Sequence, residues 1–536
     1  MANNMQSQHT GMAALPRELL DRVASFLPTT DFSNLRLSCR AVESKVFPYW
    51  SNSFIRKKQF MISELSLKTL LAISEHPTLS RCLKHLLIGL DEFASVSPYN
   101  LTSLSHYQEH QASVCSQSAL LDSGAAVTLL ARALARLPNL ESINIRDFNS
   151  PTRYRDTGPT GAATEWRSYG SSEYRGWDGH RSHIFPVTNN FFAVRVFRAV
   201  LAAASLSKCR PYSFEVTLRH RYGALCDAAF APLPTMTDEC AQFLRGLTKL
   251  HIDLGMTRDN FGAPTPHAWQ RPNSANLTSA EAFWDPETIN LRRFLAQTSQ
   301  VTHLRMNFVQ YHARGSVNEA AVPRFIQWLT LKPGQFADSD DKPGWSHVNP
   351  APILLPLRQL DLGDICLDVT VLTSLLKKFT ELNTLSLKAI GLASKHNSDS
   401  QDGGPIRESA TWARFLRELL SITPKLRRMT LRRIQEFTAH GAPNKDILFL
   451  RPGEFPKVTD KTTTRDIYNV DQAALDRLVD SMWTFTDWAR VHQPDLLQIG
   501  EDTEIYVEEG EETDEIEDED DVDLHGVDDG SSDEAE

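Results

Sequence analysis

The chain has 536 residues, 41% hydrophobic and 23% charged, which excludes collagen-like, coiled-coil and mostly disordered chains and leaves several domains or one elongated repeat array. Its net charge of −11 is concentrated at one end. Residues 501–536 hold 20 of the 67 Asp+Glu and no Lys or Arg, so residues 1–500 are mildly basic, with 56 Lys+Arg against 47 Asp+Glu.

The opening residues, MANNMQSQHTGMAA, have neither a basic stretch nor an apolar run and do not read as a secretory signal. Residues 1–12 are expected to be a disordered leader, and 13–55 a helical unit. Pro16 suits a first helical turn. Leu15, Leu19, Val23, Phe26 and Leu27 fall on one helical face with Leu20 beside them, and Pro28 stops that helix. Thr30 or Asp31 can cap a second helix, with apolar positions Leu35, Leu37, Cys39, Val42 and Val46. Pro48 is expected to interrupt the chain before a short third piece. So small a unit buries little surface and should lean on a partner or on the rest of the chain.

The string Leu15-Pro16, Glu18-Leu19-Leu20, Val23, Leu27, Asp31, Leu35-Arg36, Cys39-Arg40 and Phe47-Pro48 resembles the F-box in order and spacing. The resemblance implies a three-helix surface that docks on the Skp-type adaptor of a cullin–RING ubiquitin ligase, and through it on a cullin. It makes Leu15, Pro16, Leu19, Leu20, Val23, Leu27, Leu35 and Cys39 the adaptor contacts. The plainer alternative is that this face packs on the chain's own next domain.

From there to residue 450 an L-x-x-L-x-L phrase recurs. It appears as Leu83-Leu86-Ile88, Leu140-Ile143-Ile145, Leu247-Leu250-Ile252, Val301-Leu304-Met306, Leu357-Leu360-Leu362, Leu382-Leu385-Leu387 and Leu426-Met429-Leu431, with a degenerate copy in SFEVTL at 213–218. The alternation at the end of each copy predicts a strand. Helical patterns lie between, at 66–76, 125–137, 191–206, 318–331, 368–379 and 411–422. The fold class is therefore α/β. The array resembles the leucine-rich repeat, a solenoid of parallel strands and covering helices over 56–450; a doubly wound parallel sheet is the alternative. The repeat's usual Asn or Cys is missing, replaced by Asp91, Phe148, Gly255, Val309, Ile365, Ile390 and Ile434, and the spacing is irregular. Together the two resemblances cover 13–450 and are similar to F-box proteins of the type abundant in filamentous fungi.

Long polar insertions at 149–190, 255–288 and 393–408 follow strands, and one at 332–352 follows a helix. Loops on a rigid scaffold commonly carry recognition. In the first, Arg153, Tyr154, Arg155, Trp166, Arg167, Tyr169, Tyr174, Arg175 and Trp177 interleave arginine with aromatics, the residue types of binding hot spots. They suit an acidic or phosphorylated protein segment, a self-packed loop, or single-stranded nucleic acid. Nucleic acid is the least favoured, because the acidic tail would compete. Residues 451–500 are expected to cap the array with an amphipathic helix over 470–493, and 501–536 to be a disordered acidic tail.

Enzyme chemistry has little support. HYQEH at 106–110 matches the H-x-x-E-H zinc pattern, but its flanks are polar and weakly helical and no third ligand region is apparent. No phosphate loop, dinucleotide fingerprint or nucleophile elbow occurs. Seven scattered Cys without a CxxC pair argue against a disulfide framework and a cysteine zinc site. The expectation is a non-catalytic protein without cofactor or metal, cytoplasmic and/or nuclear. It would be the substrate-recognition subunit of a Skp–cullin–F-box ubiquitin ligase, holding an unidentified protein substrate, with no membrane partner. The alternatives are a non-degradative F-box scaffold and a nucleic-acid-associated protein.

Overall fold

Each L-x-x-L-x-L phrase turns alternate side chains to one side of an extended chain, and that side has to be covered. In the computed structural model every phrase forms a strand, and the strands lie side by side. The structure describes residues 11–93, 104–149, 168–171, 184–185, 190–219, 224–233, 235–255, 288–308, 321–332, 353, 355–393, 411–437, 445–451, 455 and 457–484. All belong to one compact unit, Met1–Phe485; the second unit, Thr486–Glu536, with the expected acidic tail, lies outside the described residues.

Three helices open the chain: α1 (Arg17–Phe26), α2 (Thr29–Ser38) and α3 (Arg40–Phe54). The expected second helix is in fact two. Cys39 is extended (φ −161°, ψ 156°) and separates α2 from α3, which carries Val42 and Val46. Neither Thr30 nor Asp31 caps α2, which begins at Thr29 behind Pro28 without a side-chain cap. Pro48 does not interrupt the chain but lies inside the 15-residue α3.

The main sheet contains β1 (Lys57–Met61), β2 (His85–Gly89), β3 (Ser142–Arg146), β4 (Ser213–Thr217) and β5 (Lys249–Leu254). It continues with β6 (His303–Phe308), β7 (Gln359–Asp368), β8 (Thr384–Ala393), β9 (Arg428–Arg432) and β10 (Thr464–Tyr468). The first nine pair in parallel and in sequence order; β10 closes the order antiparallel to β9. A doubly wound sheet reverses its strand order at a switch point, and this order has no reversal, so that alternative does not describe it.

The phrases set the register. Leu86, Ile143, Phe214, Leu250, Leu304, Leu360, Leu385 and Met429 form one row across the sheet. They and the row two residues on are buried in a single apolar core. A one-residue slip would turn both rows to the opposite face, which is why the register is so constant. Helices cover these rows: α4 (Glu64–Glu75), α5 (Leu104–Asp122), α6 (Ala125–Leu134), α7 (Asn190–Ser207), α8 (Thr237–Arg245), α9 (Ile289–Ala296), α10 (Ala321–Thr330), α11 (Val369–Lys378), α12 (Thr411–Ile422) and α13 (Gln472–Asp480). They stack in order, α4 on α6, α6 on α7 and α7 on α8, then α10 on α11, α11 on α12 and α12 on α13. No single described helix is long and apolar enough to cross a membrane.

Two local features shape the strand ends and helix starts. Asp364, Ala389 and Arg433 adopt left-handed backbone (φ 55°, 51° and 51°) at one register of β7, β8 and the residue after β9. The chain bends there, and Ile365, Ile390 and Ile434 turn into the core. Farther back, Asp227 reaches the start of α9, its carboxylate accepting from the Leu291 and Asn290 amides at 2.8 and 3.2 Å, which satisfies amides that an isolated helix leaves unpaired.

Three further differences from expectation have physical causes. The polar segment around HYQEH forms the 19-residue α5 because buried Gln117 ties it down. Its amide donates to the carbonyls of Ile62 and Asp91 (3.0 and 2.8 Å) and its oxygen accepts from the Phe93 amide (2.9 Å). The expected helix over 470–493 ends at Asp480. Met482–Trp483 instead pairs antiparallel with Leu448–Phe449. Strands β1 and β10 carry no phrase and were not expected.

Candidate functional site

The amino-terminal helices have their own small core, Leu20, Ala24, Phe32, Val42, Val46 and Phe54. Phe32 sits at its centre, its ring 5.7 Å from Tyr49 and 6.0 Å from Phe54. The Lys45 ammonium donates to the carbonyls of Ala13 and Leu15 (2.9 and 2.8 Å) and pins the entering chain to α3. Trp50 packs against this core and against the core of the sheet.

With that core filled, other apolar side chains of the unit face outward. Leu19, Val23 and Phe26 recur at i, i+4 and i+7 on α1, a single helical face. Leu19 is 50% exposed, Phe26 77%, and Leu37 on α2 72%; Val23 is half-buried. Phe26 and Leu37 are the most exposed large apolar side chains among the described residues. Covering them would release part of the about 1.5–3 kcal/mol that full burial of such a side chain yields. Of the expected contacts, Pro16, Leu19 and Cys39 are exposed, and Leu15, Val23, Leu27 and Leu35 are half-buried. Leu20 is a correction: it is 0% exposed inside the unit's core and has no surface to offer. Helical spacing placed it beside the stripe, and Leu20 and Ala24 form a separate, inward-facing side of α1.

Of the expected partner loop, only Tyr169 lies among the described residues; Arg153, Tyr154, Arg155, Trp166, Arg167, Tyr174, Arg175 and Trp177 lie outside them. Tyr169 is placed against the outer edge of β1. Its amide donates to the Gln59 carbonyl (2.9 Å), its ring is 6.1 Å from Phe60, and Lys58 lies 5.4 Å above the ring centroid. Next to it, Ser168 joins Gln59 (2.8 Å) and Asp91, and Gln59 also accepts from Arg146 (2.8 Å). This part of the insertion covers the edge of the sheet.

The sheet face turned away from the helices is polar and holds a constellation that sequence reasoning missed. His251 on β5, His303 on β6 and Asp361 on β7 converge there. The two Nε2 atoms are 3.2 Å apart, and His303 Nε2 lies 2.9 Å from Asp361 Oδ2. Behind them, His251 Nδ1 is 3.5 Å from Glu215 Oε2, and Lys249 Nζ is 3.2 Å from Glu215 Oε1. Burial pushes the Glu215 carboxyl up, but His251, Lys249 and Ser213 together hold it well below the usual range. Burial pushes His251 down against the pull of Glu215. Asp361 is held low, its burial outweighed by the contact with His303. Asp253, fully buried in the same face, is pushed up to about 6. These residues occupy the variable positions within and just before the apolar phrases, 52 and 58 residues apart, so only parallel pairing in register unites them. The HYQEH match, discounted as a zinc site from its sequence, lies on α5, where Glu109 is exposed and His110 half-buried, while the His106 side chain lies outside the described ones.

All seven cysteines are free thiols. No known family model matches the chain, and no curated protein matches it.

Proposed function

We propose that the chain is the non-catalytic substrate-recognition subunit of a Skp–cullin–F-box ubiquitin ligase. The amino-terminal helices bind the adaptor, and the remainder, a divergent leucine-rich-repeat-like solenoid, holds a target protein. The reading is carried by one observation: the Leu19, Val23 and Phe26 stripe faces outward on a unit whose own core is already filled. The F-box-like string from Leu15 to Pro48 supports it, as does a sheet whose parallel strands follow sequence order with helices stacked along it. Mechanistically the chain does no chemistry. It raises the effective concentration of target lysines near the ubiquitin-charged enzyme.

The test is capture of a Skp-type adaptor by the wild type and by the Leu19→Asp/Phe26→Asp double variant. Both positions are exposed, so the variant keeps the wild-type circular dichroism and melting temperature. Adaptor capture should fall at least tenfold while other partners are retained. Equal capture by both proteins overturns the reading.

A further inference from the structure

We propose that His251, His303 and Asp361 form a three-ligand site for a zinc-class divalent cation on the polar face of the sheet. Their ligand atoms all lie within 4.8 Å of one another. A tetrahedral zinc with bonds of about 2.0–2.1 Å has ligand atoms about 3.3 Å apart. The His–His and His–Asp separations, 3.2 and 2.9 Å, are close to that edge, and a small swing of the Asp361 side chain closes the third.

The orientation of the three groups suits a cation. The Glu215 carboxylate beside His251 Nδ1 places the proton on that nitrogen and leaves the His251 Nε2 lone pair facing His303 Nε2. His303 Nε2 carries at most one proton, yet faces this lone pair and the Asp361 carboxylate. Three potential ligand atoms thus converge on one point, and a divalent cation would coordinate all three. Glu215 stands where metal-ligating imidazoles usually find the carboxylate that fixes their tautomer. The ligands come from three adjacent strands of a rigid sheet, which keeps the site preorganised.

Two cationic side chains stand beside the site. Lys249 is paired with Glu215, and Arg305, between His251 and Asp361 in the register of the sheet, acts on both Asp253 and Asp361. Gln359 donates to Asp361 at 3.2 Å and steadies its carboxylate. Two neutral imidazoles and a carboxylate suit zinc better than magnesium or calcium, which prefer oxygen. His303 and Asp361 are partly exposed, so the fourth position is left to water or an incoming donor.

The test uses the full chain freed of metal. Zinc is titrated by calorimetry, and cobalt by visible absorption, where a four-coordinate site gives an intense band and the carboxylates of the tail give only a weak one. One tight zinc per chain and the intense cobalt band are expected. Both are lost in His303→Ala and in the shape-conserving Asp361→Asn, and both are kept in His110→Gln, which removes a ligand of the α5 motif instead. Glu215→Gln lowers the affinity about 10–100-fold. Circular dichroism identifies the ligand variants that fold, and either one suffices. Absence of stoichiometric zinc in the wild type, or unchanged zinc in the folded ligand variants, overturns the proposal. Adaptor capture plays no part in these measurements, so failure here leaves the receptor reading standing.

Discussion

The amino-terminal helices and the sheet are both rich in leucine and carry opposite surfaces. In the sheet, alternation sends each phrase leucine inward and leaves the positions between polar, as in β6, where Leu304, Met306 and Phe308 are buried while His303, Arg305 and Asn307 are half-buried. In α1, adjacent leucines part company: Leu20 is sealed and Leu19 is half exposed. Nine parallel strands share one continuous core, whereas three short helices have few interior positions and leave the surplus apolar side chains outside. On the reading proposed above, these outward side chains are what the adaptor covers.

Breaking each core tests the contrast most severely. Leu385→Ala in β8 and Leu20→Ala in α1 should each remove about 2–5 kcal/mol, but in different places. The first lowers the main denaturant midpoint of the protein. The second accelerates amide exchange in α1–α3 and leaves protection of β6–β9 intact; loss of protection in both regions would show that the helices have no core of their own. A smaller effect is expected at Lys378, whose ammonium donates to the carbonyls of Leu329 and Leu331 (2.7 and 2.6 Å). Lys378→Met leaves both without that donor and costs about 1–3 kcal/mol. Burial lowers this lysine to about 8. Between pH 8 and the unfolded value the unfolded chain binds a proton that the folded one lacks, so wild-type stability rises with pH there. Melts from pH 7 to 10 should therefore show the wild type gaining on the variant, and a constant difference would contradict the shift. The smallest effect belongs to Leu19→Ala, within about 0.5 kcal/mol of the wild type by chemical denaturation, although the residue lies at the heart of the proposed adaptor face.

Much of the sheet was legible because burial on one side writes a period of two into the chain. All eight phrase-bearing strands were found that way, and the six helical patterns by their 3.6-residue period. Strand β1, Lys57–Met61, escaped because Phe60 and Met61 are adjacent and both buried, and Gln59 is a buried polar residue, so no alternation shows. The α1 surface was half legible: spacing identified which residues are apolar, but which face of a short helix is sealed depends on Phe32, Val42 and Val46 arriving from α2 and α3. The His251, His303 and Asp361 cluster left no local signal, since each residue occupies a position that the repeat leaves free and their proximity is created by register alone.

The reversed direction of β10 has a consequence for the edge of the sheet. A parallel last strand would offer the same pattern of amides and carbonyls as every strand before it, a template for another repeat or another copy of the chain. Because Thr464–Tyr468 runs against β9, the ladder ends in a different pairing pattern, in which Asp466 also accepts from the Thr430 hydroxyl of β9. The parallel ladder therefore stops at β9, and any strand added beyond β10 would extend a mixed sheet and not a parallel one.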